Sequence, residues 1–170
     1  MRLHKILFLL ACLIISVFMI SSCERDDICA EDTSTTPLLI IKFLDDQTVS
    51  DIKRPVDLRV RSTDTSLAFL DGVSQDSIMI PLKTDALITE FEFTINANNE
   101  DQTLVNNDIL SFQYTTVEDF VSSACGFKVI YEGLSRTLVP ESDNGNWIKR
   151  ITIEQEDVIN ETAAHVFIFH

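Results

Sequence analysis

The stretch ITEFEFTIN, residues 88–96, alternates without a break. Phe91, Phe93 and Ile95 fall on one side, and Glu90, Glu92 and Thr94 on the other. Period two belongs to an extended chain, whose successive side chains point to opposite faces. A helix would spread those phenylalanines around its circumference. The pattern therefore predicts a half-buried β-strand.

The same repeat recurs on both sides. VDLRVRS (56–62) sets Val56, Leu58 and Val60 against Asp57, Arg59 and Arg61. DILSFQYTT (108–116) aligns Leu110, Phe112 and Tyr114. LLIIKFL (38–44) is apolar nearly throughout, as in a buried strand. SIMIPL (77–82) is short, and Pro81 marks an edge or an end. FKVIYE (127–132), WIKRITIEQ (147–155) and HVFIF (165–169) bring the number to eight. The links are rich in Asn, Asp and Gly: DG at 71–72, NANNED at 96–101, VNND at 105–108 and DNGN at 143–146. These residues tolerate turn geometry, and Asn144-Gly145 ahead of Trp147 is the strongest hairpin signal.

Eight strands joined by polar turns predict an all-β antiparallel sandwich, immunoglobulin-like or related, over residues 38–170. Phenylalanine and Trp147 supply the filling. A small outer-membrane barrel competes, but several strands are shorter than the roughly 9–11 residues a spanning strand needs. One stretch breaks the repeat. In TTVEDFVSSACG (115–126), Val117, Phe120, Val121 and Ala124 recur at helical spacing, with Thr115 and Glu118 placed as in a capping box. A short helix over 116–124 and a continued strand both fit.

The N-terminus carries an address. Met1 to Lys5 holds two basic residues and no acid, and Ile6 to Ile20 is an uncharged, largely apolar run. That is the order of an export signal, and the run is short for a spanning helix of about 20 residues. Ile20-Ser21-Ser22-Cys23 resembles the lipobox of bacterial lipoproteins. The resemblance implies a signal peptide over 1–22, cleavage before Cys23, and lipid on its sulfur. Two or more acyl chains anchor stably where one does not. Residues 23–37 then form a polar tether. Its cluster Glu24, Arg25, Asp26, Asp27 looks like the surface-export signal of Bacteroidota lipoproteins, and equally suits a solvated linker. An outer-membrane anchor follows, with the leaflet left open.

Beyond residue 22 stand 27 acidic residues against 11 Lys and Arg, a formal charge of −16. Such a body repels nucleic acid and anionic lipid headgroups. Cys12 leaves with the signal and Cys23 takes lipid, so Cys29 and Cys125 remain. Two thiols outside the cytosol pair, and this pair would close a loop of nearly a hundred residues.

Signals for chemistry are sparse. Beyond the leader the histidines are His165, on a strand, and His170. His165 reads as a satisfied structural residue. No phosphate loop, dinucleotide fingerprint, G-x-S-x-G or H-E-x-x-H occurs. ESDNGN (141–146) holds Glu141, Asp143 and Gly145, but lacks the ligand ladder of a calcium loop and reads as a turn. No metal or cofactor is expected. Asp76-Ser77-Ile78 resembles the O-glycosylation motif of exported Bacteroidota proteins, with Ser77 the candidate acceptor.

Taken with CERDDIC (23–29), TPLLIIKF (36–43), ACGFK (124–128), NWI (146–148) and HVFIFH (165–170), the chain resembles a family of uncharacterised Bacteroidota lipoproteins, a domain of unknown function. The resemblance implies an address and an all-β body. It brings no catalytic positions. The expected function is a non-enzymatic, lipid-anchored interaction or accessory module for a protein or glycan partner. A carboxylate-based glycan hydrolase and a structural envelope protein are the alternatives. An exposed aromatic patch would favour the first, and a pocket with two converging carboxylates the second.

Overall fold

The computed structural model describes residues 28–30, 33–141 and 145–170. The expected signal peptide, Cys23 and the whole of the cluster Glu24, Arg25, Asp26, Asp27 lie outside the described residues. The chain divides into two compact units. One comprises residues up to Thr33 together with Val121–Gly126, and the other Ser34–Phe120 with Phe127–His170. Among the described residues, no helix is long and apolar enough to cross a membrane.

The larger unit is a two-sheet β-sandwich. Its strands are β1 (Leu39–Leu44), β2 (Leu58–Ser62), β3 (Ala68–Val73), β4 (Ser77–Ile80), β5 (Ile88–Ile95), β6 (Asn106–Ser122), β7 (Gly126–Leu138), β8 (Arg150–Ile153) and β9 (Val166–Phe169). One sheet has the order β4-β1-β9-β8, the other β3-β2-β5-β6-β7. All eight anticipated strands are present.

The alternation does what its period demands. In β5, Thr89, Phe91 and Phe93 are buried while Glu90 and Glu92 are half-exposed. Phe91 meets Phe93 and Phe112 edge-to-face at 6.2 and 6.3 Å. Such pairs add roughly 0.5–1.5 kcal/mol each beyond area burial. Leu39, Ile41 and Phe43 of β1 face them from the other sheet within one core. Trp147 closes one end, its Nε1–H donating to the Phe93 carbonyl at 3.0 Å.

Several expectations are corrected. The sandwich is not wholly antiparallel: β1 and β9 pair in parallel, from Ile41 opposite Val166 to Leu44 opposite Phe169. The strand orders also differ from the immunoglobulin arrangement, so the fold is a related sandwich. Of the two readings left open for 116–124, the structure takes the strand, because β6 continues to Ser122. Neighbouring β7 supplies backbone partners that outweigh a weak helical spacing. Asp71-Gly72 is no turn but lies inside a ninth strand, β3. The β2–β3 register shifts there, and Gly72 takes a φ of +71°, as glycine does at bulges. Asn106 to Asp108 belong to β6 rather than to a turn. Asn144 of the expected Asn144-Gly145 turn lies outside the described residues, and the flanking β7 and β8 belong to different sheets.

Candidate functional site

β6 and β7 run beyond the core. Tyr114 and Tyr131 are their last buried residues, packed edge-to-face at 5.0 Å. Their hydroxyls donate to the Lys83 and Leu82 carbonyls and fasten that loop. Between residues 115 and 130 no side chain is buried. Here stand Phe120, 58% exposed, and Phe127, 63% exposed, stacked edge-to-face at 5.3 Å. Asp119 and Lys128 pair beside them at 3.5 Å. The chain at 34–36 runs alongside: Lys128 Nζ donates to Ser34 Oγ, and the Val129 N–H to Thr36 Oγ1, both at 2.9 Å.

A second apolar patch lies on β3, at the opposite edge of the five-stranded sheet. Leu67 is 75% exposed and Phe69 44%, with Phe69 leaning on the core through Phe91 at 5.9 Å. Neither patch was legible as a surface. Phe120 reads as the apolar face of a helix and Phe127 as an ordinary strand residue. Leu67 and Phe69 alternate, but the following Asp-Gly hides their strand.

Several ionisable groups are engaged in structure. Asp108 is fully buried, accepting from Asn146 Nδ2 at 2.9 Å and from the Ile148 N–H at 2.7 Å. Burial pushes its carboxyl above the usual range, against the pull of those two donors. Asp64 is pushed down to about 2 by Lys83 Nζ and then Ser62 Oγ, which both donate to it. Burial lifts Tyr131 to about 12.

A groove of about 340 Å³ lies beside β1 and β4, lined by Ile40, Lys42, Ile52, Asp76, Ser77 and residues 162–164. Its ionisable groups are one carboxylate and one lysine, and a glycosidase pair needs two carboxyls. Among the described residues, no three His, Cys, Asp or Glu side chains gather around a common point.

Of the residues singled out in the sequence, Cys29 and Cys125 form a disulfide in the smaller unit, with Cα atoms 4.9 Å apart. The Cys125 N–H donates to Ser122 Oγ at 3.1 Å in the same turn. Cys23 lies outside the described residues. Ser77 is exposed on edge strand β4, its hydroxyl 3.4 Å from Asp76 Oδ1. His165 is fully buried: Nδ1 accepts from the Ile40 N–H at 3.0 Å, and Nε2 donates to the Asn160 carbonyl at 2.9 Å. His170 is half-buried, against Trp147 at 5.4 Å and Phe43 at 6.2 Å. Burial depresses both imidazoles. Glu141 donates its N–H to Asn146 Oδ1, while Asp143 lies outside the described residues.

Residues 57–170 match the family model described as Family of unknown function (DUF6452). No curated protein and no solved structure matches the chain.

Proposed function

We propose, from the premise that this chain belongs to the family of unknown function DUF6452, that it is a lipid-anchored, non-enzymatic accessory module of the cell envelope. In this reading Cys23 carries the lipid at the outer membrane of a Bacteroidota-type cell, and the sandwich meets a protein or glycan partner. Ser77 is assigned as an O-glycosyl acceptor. One observation carries the choice of a contact role: large apolar side chains stand exposed among the described residues at Leu67, Phe69, Phe120 and Phe127. Exposed aromatics anchor interfaces when they become buried.

Metabolic labelling with a clickable palmitate analogue tests the anchor. Label on the wild type and none on Cys23→Ser is expected, and an unlabelled wild type refutes it. Affinity capture from native envelopes tests the contact. A species retained by the wild type and lost with Phe69→Ala is expected. Glycan cleavage by the purified chain, abolished by Asp76→Asn, would refute the non-enzymatic reading.

A further inference from the structure

The exposed pair at the end of the β6–β7 hairpin needs an occupant. Phe120 and Phe127 touch each other and stand more than half in water. They lie past the last buried residues of their strands, Tyr114 and Tyr131. Nothing in the core requires two phenylalanines there.

The chain's own connectivity says what lies nearby. Phe127 is two residues from Cys125, and Cys125 is bonded to Cys29. Six residues separate Cys29 from Cys23. A fully extended chain advances about 3.3–3.6 Å per residue, so that link spans roughly 20 Å at most. Covalent geometry alone therefore keeps the Cys23 sulfur close to the turn between β6 and β7. A second path agrees. Ser34 and Thr36, on the chain leading to that cysteine, are hydrogen-bonded to Lys128 and Val129 of β7.

We infer that Phe120 and Phe127 form a membrane-contacting tip that seats in the interface of the same bilayer that holds the lipid on Cys23. The inference rests on the anchor reading given above and names the occupant of the aromatic pair. Phenylalanine on the apolar face of a surface-bound element seats at the headgroup–acyl boundary of a bilayer. The charges beside the pair decide the lipid chemistry. Asp119 is paired with Lys128 and Glu118 is exposed, so the tip carries no cationic surplus. It attaches by apolar contact and suits zwitterionic headgroups better than anionic ones.

The test uses the full lipidated chain in phosphatidylcholine vesicles, with and without bromine on the acyl chains. Phe127→Trp and Phe120→Trp place a reporter at the tip, and Phe69→Trp places one on β3. Trp147, buried in every variant, is a constant background. The tip reporters are expected to shift to the blue and to lose at least half their added emission in brominated vesicles. The β3 reporter is expected to lose none.

Intact mass measured on the same samples separates the two readings. Unmodified Cys23 overturns the anchor and the tip contact together. Lipid on Cys23 with both tip reporters unquenched overturns the tip contact alone. A blue shift without quenching that grows with protein density assigns the pair to a second copy of the chain, and also overturns it. Equal quenching on β3 does the same, because the contact would then not be specific to the tip.

Discussion

Acidification from pH 7.5 to 5.5 will destabilise this protein, and His165 will account for much of the loss. Its imidazole is fully buried between two backbone groups. Nδ1 must accept from the Ile40 N–H, so the proton sits on Nε2, which donates to Asn160. A second proton on Nδ1 would face an N–H with an N–H and place a charge in the core. Burial accordingly depresses the pKa from 6.5, against the raising effects of the Asn160 carbonyl and Glu161. The unfolded chain then binds the proton more readily than the fold does. Stability is complete above pH 6.5 and is lost as pH falls through that value. At pH 5.5 the unfolded imidazole lies one unit below its pKa, which caps the loss at about 1.4 kcal/mol. His170, depressed by burial too, adds in the same direction. Asp108 acts in the opposite sense, because its raised pKa makes ionisation at higher pH unfavourable to the fold. The carboxylates held low, such as Asp45 and Asp64, act below about pH 4 and stay outside the window. Urea denaturation at the two pH values, on wild type and His165→Gln, isolates the histidine. Glutamine can accept and donate at both positions without titrating. The variant should lose less on acidification, by at most about 1.4 kcal/mol, whatever its stability at pH 7.5. An identical pH dependence in the two chains would refute the assigned tautomer and its energetics.

Cys125→Ser opens a loop closed across 96 residues. The chain-entropy model puts the loss at about 4–5 kcal/mol, so melting should fall sharply and become insensitive to reductant. Deletion of Val166–His170 removes β9, which pairs with both β1 and β8. Cooperative thermal unfolding followed by circular dichroism should disappear. Asp108→Ala leaves the buried Ile148 N–H without its acceptor, at a cost of about 2–4 kcal/mol in urea melts. A loss under about 0.5 kcal/mol would mean the loop repacks. Gly72→Ala meets both a φ of +71° and atoms of Asn98 and Asp57 at 3.0 and 3.1 Å from the new Cβ. It should cost about 1–3 kcal/mol by the same measurement.

What was legible in the sequence was the part governed by period two. The alternation survives in 89–93, 58–62 and 108–114 because one face of each strand is buried, and a register slip would exchange the faces, whereas Val56 is exposed and Thr94 is buried. The failures share a cause. Asp71-Gly72 and Asn106–Asp108 carry turn chemistry, and turn residues describe local backbone freedom, not whether a neighbouring strand is present. Gly72 supplies a bulge with the same positive φ that a turn would use. The helical spacing in 117–124 left helix and strand both open for a related reason: apolar residues on a hairpin beyond the core obey no burial period. The parallel pairing of β1 with β9 was beyond reach, because it joins residues about 125 positions apart and leaves no mark in either segment. Asp108 was equally hidden. Its role depends on Asn146 and Ile148, reached across a link between sheets.

The two apolar patches make physical sense as a pair with different tasks. Residues 23–170 carry a formal charge of −16, which repels anionic headgroups, so on the anchor reading any hold beyond the lipid must be apolar. Two phenylalanines partly withdrawn from water contribute on the order of 4 kcal/mol, which corresponds to millimolar affinity. From dilute solution such a contact would stay empty. On a short tether the effective concentration is itself about millimolar, so the same weak contact is occupied much of the time. The hairpin end therefore needs no larger patch, which leaves little for unwanted association when the chain is in transit. Seating that end also orients the sandwich. β3 and β7 are opposite edges of the five-stranded sheet, four strand spacings of about 4.8 Å apart. Leu67 and Phe69 therefore form a surface separate from the hairpin end, which the proposed seating of Phe120 and Phe127 does not use.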